Sequence, residues 1–283
     1  QGQGHETIFR QIAAERLGID PSDIQYIDGD TDRVAFGIGT NGSRSTVIGG
    51  SALWAAAGKI IDKGTRIAAH IMEANEGDIE FAGGIFTVAG TDQGMNLQEV
   101  AKSAFMHAKL PPGLEGGLFE TATFTPEADT FPNGAHVCEV EIDPDTGQVD
   151  LVSYAVVDDV GTVINPMGLK GQIHGGIAQG VGQALMEQVV YDPGSGQLLS
   201  GSFMDYTMPR ADTTCSIRVE SNPVPTALNP LGAKGAGEAG TVGALPAVMN
   251  AVLHALGPLG VTELDMPATS LRVWRAIQQS RAS

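Results

Sequence analysis

One glycine-rich stretch carries the two charged side chains best placed for chemistry. It runs from Asn229 to Thr241 and holds Lys234, Glu238 and glycines at positions 232, 235, 237 and 240. Glycine allows positive φ and close backbone approach, so peptide N–H groups in such a loop can point at an anion. Lys234 adds a positive charge, and Glu238, at the start of a predicted helix, can act as a base toward a bound molecule. A plain turn, in which Glu238 only favours the helix N-terminus, stays open as the alternative.

A second loop has the composition of an anion-binding site. The run Gly42-Ser43-Arg44-Ser45-Thr46 directly precedes a predicted alanine-rich helix from Val47 to Ala74. Unpaired N–H groups at a helix N-terminus, three hydroxyl groups and a guanidinium would all favour a phosphate there. Serine and threonine are also ordinary helix N-caps, so a simple helix start is the other interpretation.

The composition excludes several classes of function. The 283-residue chain has a formal charge of −17, whereas nucleic-acid binding relies on clustered Lys and Arg. It has no apolar run of about 18 residues and no basic-then-apolar leader. We therefore expect no nucleic-acid partner and no membrane span. Because the chain begins with Gln1 rather than Met, we expect a fragment or a processed subunit.

The cysteines and histidines are not spaced as metal ligands. Cys138 and Cys215 lie far apart, and the six histidines form no H-E-x-x-H pattern, so we predict no metal ligand in this chain. The G-x-G-x-x-G triplets that begin at Gly37 and Gly235 match the dinucleotide fingerprint. With 38 glycines such matches arise by chance, and neither follows an apolar strand, so we predict no NAD-binding Rossmann site.

The predicted elements are helices interspersed with short strands. Hydrophobic periodicity predicts helices at residues 6–17, 47–74, 97–107, 242–256 and 268–279, and one that carries residues 172–180. Strands are predicted at 24–27, in a hairpin over 78–90, at 135–142 and 149–157, and near 188–191 and 214–220. Glycines at 171, 175, 176, 180 and 182 each cost a helix about 1 kcal/mol relative to alanine. A neighbouring element or a ligand must therefore approach that helix closely.

Several motifs occur in an order that resembles one enzyme family. They are Gly2-Gln3-Gly4-His5-Glu6, Gly42-Ser43-Arg44-Ser45-Thr46, the Asp158–Pro166 turn, Gln172-x-x-Gly175-Gly176 and Lys234-Gly235-Ala236-Gly237-Glu238. Together they span essentially the whole chain. They resemble the C-terminal molybdenum-cofactor region of the xanthine dehydrogenase family, most strongly the large chain of the aerobic carbon monoxide dehydrogenase type.

The resemblance implies a role for each motif. Residues that would contact the pterin near the metal are Gly2, Gln3, Gly4 and His5, and those that would bind the phosphate region are Gly42, Ser43, Arg44, Ser45 and Thr46. The other side of the cofactor would be lined by Asp158, Asn165 and Gln172, and its pterin end cradled by Lys234, Gly235, Ala236 and Gly237. Glu238 matches the family's glutamate base.

The resemblance also implies an architecture and partners. The expected fold is α+β, with two similar α/β subdomains, residues 1–127 and 128–283, and a cofactor cleft between them. An upstream substrate and molybdenum domain is expected to be absent from this chain. The implied cofactor is molybdopterin cytosine dinucleotide with Mo. The implied partners are the N-terminal part of the large subunit, an FAD-binding medium subunit, a small subunit with 2Fe-2S clusters, and a small-molecule substrate.

The implied function is oxidative hydroxylation, or carbon monoxide oxidation, with water as the oxygen source. We expect a cytoplasmic enzyme, with a peripheral location at the inner membrane face as a variant, and no activity in this fragment alone. An aldehyde or N-heterocycle oxidoreductase stays open in place of a carbon monoxide dehydrogenase. A non-enzymatic alternative is a module that only binds the cofactor or supports assembly.

Overall fold

The computed structural model describes residues 1–34 and 36–282, which divide into two compact units. Unit 1 comprises Gln1–Asp129 and Thr226–Ala233, and unit 2 comprises Thr130–Pro225 and the chain from Lys234 onward. The assignment of residues 226–233 to unit 1 was not foreseen. That residues 1–127 and 128–283 form two pterin-binding subdomains stays a prediction, and Ser283 lies outside the described residues.

Unit 1 combines helices with a small antiparallel sheet. Its elements are α1 (His5–Leu17), α2 (Ser51–Met72), β1 (Ile79–Ala82), β2 (Ile85–Val88), β3 (Gly94–Asn96) and α3 (Leu97–Ser103). The sheet order is β1-β2-β3, and both pairings are antiparallel. Phe86 of β2 is fully buried among Ile67 and Val100. Gly64 makes room for its ring, because a Cβ there would lie 2.5 Å from Phe86 Cζ. The sheet is thereby packed directly on α2.

Unit 2 is a three-stranded sheet covered by helices. Its elements are β4 (Asn133–Ile142), β5 (Val149–Asp159), α4 (Pro166–Leu185), β6 (Ile217–Ser221), α5 (Ala239–Leu256) and α6 (Ser270–Arg281). β4 pairs antiparallel with β5, and β5 pairs parallel with β6. The core contains Ile173 and Ile177 of α4 with Val248 and Val252 of α5, all fully buried. The mixture of helices and sheets in both units confirms the predicted α+β class.

Most predicted elements are present, with two exceptions. The hairpin over 78–90 and the strands at 135–142 and 149–157 are confirmed, with β4 and β5 extending to residues 133 and 159. The strands predicted at 24–27 and 188–191 are wrong, because neither segment finds a ladder partner. Residues 24–27 have no regular structure, and Tyr191 makes an isolated bridge with Leu198. An apolar pattern without a neighbouring strand does not make a sheet.

Two predicted helices also differ in form from the prediction. The helix predicted at 47–74 begins with a π-helical turn, Thr46–Gly50, and continues as α2 to Met72. The helix predicted at 97–107 ends at Ser103 and is followed by a short 3₁₀ turn, His107–Lys109.

The segment Ala239–Leu259 is, within the described part of the chain, the one helix long and apolar enough to cross a membrane by length and composition. The sequence analysis predicted no span. Ala244, Val248 and Val252 of this segment are fully buried in the core of unit 2. These three side chains thus belong to the core of this unit, while 28% of the apolar window as a whole is buried.

Candidate functional site

The loop 234–238 is tied to the end of β5 within unit 2. Lys234 donates its backbone N–H to the carbonyl of Val160 at 2.8 Å. Its ammonium Nζ lies 2.5 Å from Asp159 Oδ2, and both side chains are largely buried. Lys234 is thus paired inside the protein. The cation predicted to cradle a ligand is itself neutralised by a carboxylate that the sequence analysis did not single out.

Asp159 is the central acceptor of this arrangement. Its Oδ1 accepts the backbone N–H of Gly161 at 2.8 Å and that of Val224 at 3.0 Å. Burial alone would raise the pKa of Asp159, but the Lys234 hydrogen bond and the two N–H groups outweigh it and lower the pKa to about 2. Asp159 is therefore a stable anion that joins the end of β5 to the segments around residues 224 and 234.

Glu238 occupies the N-cap position of α5. Its backbone carbonyl accepts the N–H of Val242 at 3.0 Å, and its side chain is on the exposed side of the loop. Gly235 is buried and Gly237 is exposed, while the carbonyl of Ala236 accepts the N–H of Ala239 at 3.3 Å. The predicted base thus stands where the chain enters a helix, with its carboxylate on the surface of unit 2.

Asp158 lies in the interior of unit 2. It is 3% exposed, and its Oδ1 lies 3.4 Å from His136 Nε2. His136 Nδ1 is in turn 2.8 Å from the Tyr154 hydroxyl. The two nitrogens of the His136 ring thus face a carboxylate on one side and a phenol hydroxyl on the other. Asp158 Oδ2 is buried and has no hydrogen-bond partner among the described residues.

His136, Tyr154 and Asp159 escaped the sequence analysis. One signal for Asp159 was available. Consecutive strand residues point to opposite faces of a sheet, so Asp158 and Asp159 at the end of β5 face opposite sides. Since a buried carboxylate needs a partner, two adjacent acids at the end of a buried strand indicate two separate polar networks. The partners themselves come from distant parts of the sequence.

Asn165 and Gln172 lie on α4. Asn165 is the N-cap of that helix, and its Oδ1 accepts the N–H of Gly168 at 2.7 Å. Gln172 is half-buried in the second turn. The predicted role of Asn165 in cofactor binding therefore coexists with a local capping role.

In unit 1, the N-terminal loop leads directly into α1. Gly2 and Gly4 have φ of 88° and 73°, and Gly4 is the N-cap of α1. Gln3 Nε2 donates to Gln1 Oε1 at 2.8 Å. His5 begins the helix and stacks on Phe9 with ring centroids 5.5 Å apart. A backbone with two left-handed glycines thus precedes a helix N-terminus, and the pterin contact of this loop stays a prediction.

The loop 42–46 leads into the second long helix of unit 1. Gly42 and Ser43 have φ of 58° and 53°, and the Ser45 hydroxyl lies 2.9 Å from that of Thr40. Arg44 accepts the N–H of Ile48 at 2.9 Å through its carbonyl, so the first turn already forms there. Thr46 then opens the π-helical turn.

The π-helical turn that follows the loop 42–46 packs against other segments of unit 1. A Cβ at Gly49 would lie 2.9 Å from Phe9 Cζ, and one at Gly50 would lie 2.7 Å from Leu231 Cδ1. The π-helical turn therefore touches α1 on one side and the segment before Lys234 on the other. No group of three or more His, Cys, Asp or Glu side chains that could hold a metal ion was found among the described residues.

Comparison with known proteins identifies the family. A model of the molybdopterin cofactor-binding domain matches residues 1–215. The chain belongs to this family. Together with two carbon monoxide dehydrogenase large chains that are 41% and 39% identical and a solved structure of such an enzyme, this match confirms the resemblance to the molybdenum-cofactor region of the xanthine dehydrogenase family, of the carbon monoxide dehydrogenase type.

Individual relatives match this molybdopterin cofactor-binding domain beyond residue 215. The carbon monoxide dehydrogenase large chain of Hydrogenophaga pseudoflava is 41% identical over 280 residues, covering 99% of this chain and 34% of the relative. The nicotine 6-hydroxylase large subunit of Paenarthrobacter nicotinovorans is 38% identical over 278 residues, covering 98% of this chain and 34% of the relative. The chain therefore spans about a third of the length of these relatives.

The fold of this molybdopterin cofactor-binding domain also has a match among solved structures. The structure of a Cu,Mo-CO dehydrogenase in its carbon monoxide reduced state matches with a TM-score of 0.93 and 39% identity. The match covers 99% of this chain and 35% of that one. Lys234 and Glu238, which lie outside residues 1–215, are thus within the region shared with this structure.

Proposed function

We propose that this chain is the C-terminal, cofactor-binding part of the large subunit of a molybdenum hydroxylase, and that Glu238 is its catalytic base. The observation that carries the proposal is the placement of Glu238. Glu238 is exposed on the surface of unit 2, at the end of the 234–238 loop. Lys234, at the start of that loop, is paired with Asp159. A base must be both fixed in position and accessible to its substrate, and this loop meets both needs.

The residues in the glycine-rich loops suit a large anionic group such as molybdopterin cytosine dinucleotide. A Cβ at Gly2, Gly4, Gly39 or Gly42 would meet nothing within 4 Å, so these backbones are open to a ligand. The N-terminus of α2 and the Arg44 guanidinium favour phosphate in the adjoining loop. We assign the pterin to residues 2–5 and 234–237, the phosphates to residues 42–46, and the remaining contacts to Asp158, Asn165 and Gln172.

The chain's own part in the reaction is proton transfer and positioning. When bound, the molybdenum centre supplies the two-electron oxidation of the substrate. Glu238 would serve as the proton acceptor beside that centre, and the Asp159–Lys234 pair would keep its loop in place. Without a fixed loop the carboxylate would sample many positions, and the rate would fall accordingly.

Electron removal requires partner subunits in this proposal. A 2Fe-2S cluster needs four protein ligands, usually cysteines, and this chain contains two cysteines, Cys138 and Cys215. We therefore place the iron–sulfur clusters on a small subunit and FAD on a medium subunit, with the N-terminal part of the large subunit completing the substrate site. We assign the assembly to the cytoplasm, and no observation supports a peripheral membrane location.

The substrate is carbon monoxide, an aldehyde or an N-heterocycle. The identities of 41% and 38% to a carbon monoxide dehydrogenase and a nicotine hydroxylase do not separate these classes. The test therefore supplies the assembled enzyme with carbon monoxide, an aliphatic aldehyde, nicotine and quinoline in turn, and follows reduction of an artificial electron acceptor.

The decisive variant is Glu238→Gln in the full large subunit, assembled with its partners. We expect bound molybdenum and cytosine nucleotide to be retained while turnover per molybdenum falls by about 100-fold or more, since a positioned base contributes about 10²–10⁴-fold. Glu263→Gln removes an exposed carboxylate elsewhere in unit 2 and serves as the control. Normal turnover in Glu238→Gln would remove Glu238 from the mechanism. Absence of molybdenum from the wild-type assembly would overturn the proposal as a whole.

A further inference from the structure

The first turn of α5 is held closely by its neighbours in unit 2. Thr241 Oγ1 donates to the carbonyl of Gly176 on α4 at 3.0 Å. A Cβ at Gly240 would lie 2.5 Å from the carbonyl oxygen of Ile173, so the two helix backbones are in direct contact. The turn that follows Glu238 therefore cannot move any closer to α4.

A buried histidine limits the same turn from the sheet side. A Cβ at Gly243 would lie 2.4 Å from His136 Cδ2 and Nε2, so the imidazole touches the α5 backbone. The His136 side chain is 7% exposed. Because close-packed interiors transmit small displacements, the position of this ring sets how deeply the start of α5 sits on the sheet.

The ring is itself held by two polar side chains. The Tyr154 ring meets it edge-on, with centroids 5.8 Å apart and an interplanar angle of 85°. Burial, and then the neighbouring Cys138 thiol and Asp158, raise the pKa of Tyr154, so the hydroxyl keeps its proton. Its oxygen lies 2.8 Å from His136 Nδ1, within hydrogen-bond distance. Asp158 Oδ1 lies 3.4 Å from the opposite nitrogen, Nε2. The imidazole thus has a polar side chain next to each of its nitrogens.

We propose that His136 is a positioning residue for Glu238, with Tyr154 and Asp158 holding its ring against Gly243. The proposal rests on the proposed function in that it takes Glu238 as the base. It assigns the buried Asp158 an indirect role, through His136, in addition to any contact with the cofactor. Glu238 lies only five positions before Gly243, so a displaced first turn carries the carboxylate with it.

The test uses the full large subunit assembled with its partners and loaded with molybdenum. Gly243→Ala forces the ring or the helix to move, and Tyr154→Phe removes only the hydroxyl that holds Nδ1. Gly257→Ala, at the other end of α5, is the matched control, because a Cβ there meets nothing within 4 Å. Each variant is assayed with whichever of carbon monoxide, aldehyde, nicotine or quinoline the wild type oxidises. Amide hydrogen exchange of Val242, which is bonded to the Glu238 carbonyl, is measured in parallel.

We expect kcat per bound molybdenum to fall about 10-fold or more in Gly243→Ala and several-fold in Tyr154→Phe, with KM within twofold of wild type. Exchange of the Val242 amide should accelerate in both variants and stay unchanged in Gly257→Ala. A purely structural role would instead lower the molybdenum-loaded fraction and leave kcat per molybdenum intact.

Two outcomes overturn the inference and are distinguishable. If Glu238→Gln is inactive while Gly243→Ala and Tyr154→Phe keep wild-type kcat per molybdenum, the positioning role of His136 is wrong and the proposed function stands. If Glu238→Gln keeps full turnover, the proposed function fails and the positioning role fails with it.

Discussion

Asp159 and Lys234 form the ion pair that holds the 234–238 loop to β5. The two residues are 75 positions apart in sequence, and both side chains are largely buried. A buried charge is costly unless it is paired, so the loop and the strand end depend on each other. The pair fixes the backbone that leads to Glu238, which makes it the residue-scale feature most directly linked to the proposed chemistry.

Asp159→Asn should destabilise the protein by about 3 kcal/mol, since one partner of a buried pair is lost. The oxygen of the new amide can still accept from Gly161 and Val224, which turns the amide NH₂ group toward the Lys234 ammonium. Adding Lys234→Met should recover most of the loss. Thermal unfolding measures the effect. Glu220→Gln, in the exposed pair with Arg218, is the control and should cost less than about 1 kcal/mol. Equal losses of stability in Asp159→Asn and Glu220→Gln would contradict the role of the buried pair.

The same carboxylate predicts a pH dependence of stability. The pKa of Asp159 is about 2 in the folded protein, against an ordinary value of 3.8. As the pH falls below about 4, the unfolded chain takes up the proton first, so the stabilisation from Asp159 is complete above about pH 4 and is lost as pH falls toward 2. Urea unfolding at about pH 5 and pH 3 should show this loss in the wild type. In Asp159→Asn, the loss of unfolding free energy between these two pH values should be smaller, because the contribution of the Asp159 carboxylate is missing.

At the scale of elements, four of the six glycines of α4 form two sets with different neighbours. Gly176 and Gly180 lie against α5, where a Cβ would come within 2.9 Å of Thr241 N and 2.6 Å of Ala244 Cβ. Gly171 and Gly175 would place a Cβ in open space. Close packing by a neighbouring helix, one of the two explanations left open by the sequence, is confirmed for the first set.

This division predicts opposite effects for one substitution on one helix. Gly180→Ala should lower the free energy of unfolding by about 1–2 kcal/mol, because overpacking outweighs the gain in helix propensity. Gly171→Ala should raise it by up to about 1 kcal/mol, since the new methyl group meets nothing. Thermal midpoints of both variants, measured side by side, check the prediction. Two shifts of the same sign would contradict the α4–α5 contact.

At the scale of the whole molecule, large apolar side chains remain exposed in both units. Phe36 and Phe119 of unit 1 are 76% and 71% exposed, and Phe203 and Met204 of unit 2 are 82% and 93% exposed. The last two project from a turn closed by the Ser202 hydroxyl, which donates to Asp205 Oδ2 at 2.6 Å. Neighbouring apolar side chains held in water favour association.

We expect the isolated chain to self-associate with rising concentration, and Phe203→Ser with Met204→Ser to weaken that association. The thermal midpoint should stay unchanged, because neither side chain is part of the core. Analytical ultracentrifugation and thermal unfolding provide the two measurements. Val248→Ser, in the fully buried core, is the contrasting control and should lower the midpoint by several degrees. Unchanged association in the double variant would show that another surface is responsible.

The α+β class, the β4–β5 hairpin, the long helices and the motifs that indicate a molybdenum cofactor could all be predicted from the amino-acid sequence. These features depend on local periodicity, on turn residues such as Gly18 and Gly147, and on the order of short motifs along the chain. Three features became visible only in the folded chain: the parallel pairing of β5 with β6, the absence of a strand at residues 24–27, and the partners of Lys234 and Asp158. These pairings join residues that are far apart in sequence. A charged side chain or a strand requires a partner only once it is buried, and that burial exists only in the folded chain.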